Sequence, residues 1–172
     1  MAKQSALTIK SNIGINKVLV TKIDVFISNT TKGCDINAIW DTGATSTAIT
    51  KKVVDTLGLS PTGLAKVNTA NGLATQATYT IDVKLLNNVV IQGVTATGVD
   101  KLSGGCDALI GMDIITLGDF SITNHQGTTC MSFRVPSLHE IDYVKNPTYG
   151  TTPIKTGGRG DRFTPPKKKR KR

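Results

Sequence analysis

At 172 residues the chain has room for one domain and an appendage, and for a core large enough to fold alone. Its net charge of +9 is lopsided: nine of the 21 bases but only one of the 12 acids, Asp161, lie from Lys155 onward, which puts +8 on the tail and leaves the body near +1. The basicity therefore belongs to the tail and argues nothing about the folded part. Three cysteines (Cys34, Cys106, Cys130), with no CxxC spacing and no nearby His, argue against a disulfide framework and against a zinc site. Met1–Lys10 lacks a signal-peptide core, and no apolar run approaches the roughly 18–20 residues of a membrane span. The expectation is a soluble intracellular protein, cytoplasmic, with the tail adding a nuclear-import option in a host that has a nucleus.

In chain order, residues 1–15 are polar and form an N-terminal arm, loose or an edge strand. Val18–Ile27 reads as a strand, with Ile23, Val25 and Ile27 on one face and Lys22 and Asp24 on the other. After a turn at 28–33, a second strand runs from Asp35 to Trp40 and delivers Asp41 at its end. Thr47–Ile49 is strand again, and Thr50 is placed to cap a short helix, Lys51–Leu57, that Gly58 stops. Asn71–Gly72 is a strong two-residue hairpin signal, because a type I′ turn needs positive φ at both central positions. Its flanks are small and polar, which predicts a solvated hairpin. Tyr79–Leu85 alternates as a strand, and Val89–Val99 follows as another strand or pair. Ala108–Gly111 is a short buried run, Met112–Leu117 a short helix, and 120–135 a last hairpin around Asn124–Gly127. Composition then shifts to Pro, Gly and Thr and ends in Lys167–Arg172, a segment too poor in apolar surface to order itself. The predicted division is an arm at 1–15, a domain at 16–138 and a disordered basic tail at 139–172.

Asp41-Thr42-Gly43-Ala44-Thr45 follows three apolar residues, Ala38-Ile39-Trp40, and Leu109-Ile110-Gly111-Met112-Asp113 comes a domain's length later. Asp is uncommon in strands, and a buried Asp needs a partner or a purpose. Taken alone, Asp-Thr-Gly is as compatible with a turn as with catalysis. With the second motif and the intervening Asn-Gly hairpin, the chain resembles the retropepsin-like aspartic proteases over roughly Lys17–Pro136.

The resemblance implies an all-β fold, a closed barrel or sandwich lobe with one or two short helices and a flap hairpin, working as a homodimer. It implies that Asp41 is catalytic and that Thr42, Gly43 and Ala44 complete the active loop. Leu109, Ile110 and Gly111 would pack beneath that loop, and the flap would carry Thr69, Ala70, Asn71 and Gly72 over a protein or peptide substrate. Trp40 is bulkier than the residue usual before the aspartate, and either narrows a subsite or fills core. Thr45 and Ser46 stand where retroviral enzymes often carry an acid, which bears on substrate preference.

Carboxylate hydrolysis of a peptide bond takes two carboxyl groups, yet the chain has one Asp-Thr-Gly. Asp113 lacks that context and reads as a helix N-terminal residue or cap. The second carboxylate must then come from another copy, and no cofactor or metal is required. The competing reading is a non-catalytic retropepsin-type dimerisation or peptide-binding module, tethered by its tail to nucleic acid or another acidic partner. Arg159-Gly160-Asp161 is read as chance, His125 and His139 as exposed and silent, and Cys106 as a packed residue.

Overall fold

The computed structural model of the chain describes residues 5–69 and 72–145. Its strands are β1 (Ser5–Lys10), β2 (Val20–Ile27), β3 (Gly33–Trp40), β4 (Ala48–Thr50), β5 (Gly63–Thr69), β6 (Gly72–Lys84), β7 (Val90–Val99), β8 (Ala108–Ile110), β9 (Asp119–Thr123) and β10 (Cys130–Val135). Among the described residues the α-helices are two short ones, α1 (Lys51–Leu57) and α2 (Met112–Ile115), with single 3-10 turns at Ser103–Gly105 and His125–Gly127. The fold is all-β, as the Val-, Ile- and Thr-rich alternating runs predict.

Six strands close on themselves in the order β2-β3-β8-β4-β7-β6, with β6 pairing back onto β2 from Asp24↔Lys84 to Ile27↔Ile81. Most ladders are antiparallel, but β3 runs parallel to β8 and β4 parallel to β7. Closure removes the sheet edges that would otherwise present unpaired backbone groups. The inward set includes Ile23 and Val25 of β2, Ile81 and Val83 of β6, and Ala108 and Ile110 of β8. The alternation read along β2 is thus the barrel's inside and outside, with Ile27 packed at the core's margin.

A second sheet, ordered β1-β10-β9, packs on this barrel. The segment assigned from sequence to an arm supplies β1, an edge strand paired with β10 from Ser5↔Val135 to Lys10↔Cys130, and buries Leu7. Trp40 joins the two layers. Its ring stacks on Phe120 at 5.6 Å and meets Phe133 at 5.1 Å, while its indole N–H donates to Thr21 Oγ1 at 3.0 Å. Of the two roles considered for it, Trp40 takes core filling, with its single polar group satisfied.

One local expectation changes. Thr50 occupies the N-cap position of α1, but its hydroxyl donates to Asp107 Oδ1, just before the neighbouring strand β8, instead of capping the helix. The stop is as predicted: Gly58 adopts the left-handed conformation (φ 69°, ψ 42°) and donates its N–H to Val54 O. In the β5–β6 hairpin the last described pair is Thr69↔Gly72, and the expected turn at Asn71–Gly72 falls in part outside the described residues. Gly72 keeps a positive φ of 105° at the start of β6. The hairpin is solvated as expected, with Leu64 and Leu73 exposed.

The fold occupies the unit Met1–His139. In the second unit, Lys145 pairs with Glu140 and Asp142 among the described residues. Most of the predicted basic tail, residues 146–172, lies outside the described residues.

Candidate active site

β3 carries Asp41 to the mouth of the barrel because its parallel neighbour β8 holds the strand to its last residue. Trp40 sits opposite Ile110 in the ladder, and the Asp41 N–H donates to Ile110 O at 3.0 Å. The chain then reverses: Ala44 N–H donates to Asp41 O at 3.3 Å, and Gly43 N–H donates to Asp41 Oδ1 at 2.8 Å. This second bond orients the carboxylate. Asp41 is half-buried and Thr42 and Gly43 are exposed, so the loop is presented at the surface.

The second motif supports the loop from below. Met112 N–H donates to Ala44 O at 2.8 Å and Asp113 N–H to Thr45 O at 3.2 Å. Gly111 lies so close beneath Ser46 that a Cβ there would stand 2.5 Å from Ser46 C and 2.7 Å from its O. Its φ of −93° suits any residue, so glycine is required here for space and not for conformation. Leu109, Ile110 and Gly111 are therefore brought together with Asp41–Ala44, as the family resemblance implies.

Two supporting residues went unassigned by sequence reasoning. Thr47 is buried, and both its N–H and its hydroxyl donate to the Asp113 carboxylate at 2.9 Å. The same hydroxyl oxygen accepts from Gly111 N–H at 3.3 Å. Asp113 also accepts from Ile114 N–H at 3.0 Å, which gives it the helix N-terminal position expected of it. Its larger task is to bind the exit of the active loop. The available signal was an Asp directly after Leu-Ile-Gly-Met, but nothing in a linear reading points it at Thr47.

A cavity of roughly 480 Å³ opens between the active loop and the β5–β6 hairpin, lined by Gly43, Ala44, Ala48, Val67, Thr97 and Leu109 among others. Thr69 and Gly72 stand at the hairpin's last pair, whereas Ala70 and Asn71 lie outside the described residues. Among the described residues no group of three or more His, Cys, Asp or Glu is placed to hold a metal ion. No helix among them is long and apolar enough to cross a membrane. Cys34, Cys106 and Cys130 are free thiols. Burial first, and then the neighbouring Asp107, push the Cys106 thiol up, away from nucleophilic character.

A family profile described as "gag-polyprotein putative aspartyl protease" matches residues 27–116, a span from the end of β2 through α2 that includes both motifs. No curated protein matches the sequence. Among solved structures, a retropepsin-like aspartic protease from Rickettsia conorii aligns at 18% identity over 78% of this chain and 98% of that one, with a TM-score of 0.47. The EIAV protease, solved with the inhibitor HBY-793, aligns at 18% identity over 58% of this chain and 86% of its own, with a TM-score of 0.44. The foamy viral protease–reverse transcriptase aligns at 21% identity over 57% of this chain and 11% of its own, with a TM-score of 0.42. With the profile covering more than half of the sequence, both motifs included, the chain belongs to the retropepsin-like aspartic protease family.

Proposed function

We propose that the protein is an aspartic endopeptidase whose active site forms when two copies bring their Asp41 carboxylates together on a two-fold axis. The observation that carries this is the mounting of Asp41. It stands half-buried at a strand end, its Oδ1 held by Gly43 N–H, beside a cavity roofed by a solvated hairpin. Two such carboxylates at about 3 Å cannot both ionise, so the pair shares one proton. The ionised member takes a proton from a water as its oxygen attacks the scissile carbonyl carbon. The protonated member donates its hydrogen to the carbonyl oxygen, giving a neutral tetrahedral diol. Collapse breaks the C–N bond, with one proton passing to the leaving nitrogen and one returning to the pair. No covalent enzyme intermediate forms. The β5–β6 hairpin acts as a flap, gripping an extended peptide by strand-like pairing.

The test is cleavage of a peptide library between about pH 4 and 7 by wild type and by Asp41→Asn, within the range that a shared-proton carboxyl pair spans. Cleavage by the wild type alone is expected; equal cleavage by both, or by neither, refutes the proposal. We assign the protein to a reducing intracellular compartment on its three free thiols. The tail from Lys155 onward is assigned a salt-sensitive contact with nucleic acid or another polyanion, on its six consecutive cations at 167–172. Deletion of 155–172 should abolish that binding and leave peptide cleavage intact.

A further inference from the structure

Next to the cavity at the active loop lies a second one of roughly 410 Å³. Ser46 and Thr97 belong to the walls of both, so the two adjoin. Each has a single charged residue in its described lining, and the signs are opposite. In the first it is Lys66 of β5, among apolar groups such as Ala48, Val67 and Leu109. In the second it is Asp113, in the first turn of α2, among Thr78, Thr95 and Ile114. Lys66 and Asp113 are both exposed, and neither has an ion pair among the described residues.

The hydrogen bonds of Asp113 leave it an open acceptor. Oδ1 accepts from the Thr47 hydroxyl at 2.9 Å and from Ile114 N–H at 3.0 Å. Among the described residues Oδ2 accepts only from Thr47 N–H, at 2.9 Å. A carboxylate oxygen has two lone pairs, so Oδ2 can take one more donor. A carboxylate in a wall of hydroxyl and apolar groups suits Arg or Lys, whose stem is apolar and whose head is cationic. We infer that the second cavity receives a basic side chain of the peptide substrate, two residues along from the side chain that fills the first. The inference rests on the proposed seating of an extended peptide in the first cavity. Side chains two apart on an extended chain share a face and lie about 7 Å apart, so successive members of that face meet adjoining cavities. Lys66 repels a base from the first cavity, and Asp113 accepts it in the second. The substrate class is therefore peptides with Arg or Lys two residues from an apolar side chain.

A random-sequence peptide array probed with Asp41→Asn protein reads binding without cleavage. Bound peptides should be enriched in Arg or Lys two residues from an apolar residue. Replacing that base by Gln should cost about fivefold in affinity, the upper end for an exposed ion pair. Adding Asp113→Asn should abolish the preference, whereas an Asp113 of structural importance alone would weaken every peptide alike and leave the Arg-to-Gln ratio unchanged. Adding Thr95→Lys should turn the preference towards Glu. Thr95 is exposed on β7, so this variant spares the bonds between Asp113 and Thr47 and stands in if Asp113→Asn does not fold. No bound peptide, binding without a basic preference, or a preference that survives either folded variant overturns the inference. Wild type is then given the bound peptides. If it cleaves none while the preference holds, the protease reading fails and the cavity assignment stands; cleavage with no advantage for the base does the reverse.

Discussion

Gly111→Ala tests whether the second motif positions the active loop. The added methyl would stand 2.5 Å from Ser46 C, 2.7 Å from its O and 3.0 Å from its N, all backbone atoms that cannot rotate away. Relief requires Ser46 to rise, which pulls on the Met112 N–H to Ala44 O and Asp113 N–H to Thr45 O bonds on either side. Overpacking of this kind costs about 1–3 kcal/mol, and each weakened backbone bond adds about 1 kcal/mol. A loss of about 3 kcal/mol is expected, or a fall in Tm of about 6–12 °C for a chain of this size. Since Ser46 lies five residues from Asp41, a displacement near 1 Å should reach the carboxylate and cost about 100-fold in kcat. Gly14→Ala is the control. Gly14 has φ +72° and nothing within 4 Å of its would-be Cβ, so it bears only the left-handed backbone penalty of about 1 kcal/mol. Thermal unfolding and peptide turnover of both variants decide the matter. If Gly111→Ala is no less stable than Gly14→Ala and cleaves normally, the close approach of β8's end to Ser46 does not position the loop.

Asp113→Ala strips the acceptors from both Thr47 donors, one of them a buried hydroxyl, and should destabilise by about 2–4 kcal/mol, read by denaturant unfolding. Trp40→Phe keeps a ring between the layers but leaves Thr21 Oγ1 without its indole donor, and should lose about 1–2 kcal/mol by the same measurement. For Asp82, burial pushes the carboxyl up, but hydrogen bonds from Ser28 Oγ, Gly93 N–H and Asn29 N–H outweigh it and hold the group below its ordinary value. A depressed carboxyl stabilises the fold above its unfolded pKa of about 3.9, and that contribution fades as pH falls through the folded value. Asp82→Asn should therefore lower Tm at neutral pH and flatten its decline on acidification below about pH 4; parallel wild-type and variant profiles would refute this role.

Much of the fold was legible because its signals are local. Alternation along Ile23, Val25 and Ile27 follows from the two-residue period of a strand, and Gly58 ends α1 by a conformation that glycine adopts without penalty. The grouping of Asp41–Ala44 with Leu109–Gly111 was implied by the resemblance to the retropepsin-like aspartic proteases. Thr50 was misread for a physical reason: a hydroxyl at an N-cap position can serve any acceptor in reach, and Asp107 is brought there by β8.

The sequence by itself determined the all-β class, the strand that ends in Asp41, the two motifs and the concentration of charge in the tail. Each is written in residue type and short spacing. Only the tertiary structure decided that β6 closes the barrel on β2, that Trp40 joins two layers, and that the loop's exit is tied to Asp113 across 66 residues of sequence. These depend on which distant atoms meet in space. The same holds for Gly111: its backbone angles would suit any side chain, and it must be glycine because Ser46 passes within 3 Å of where a Cβ would stand.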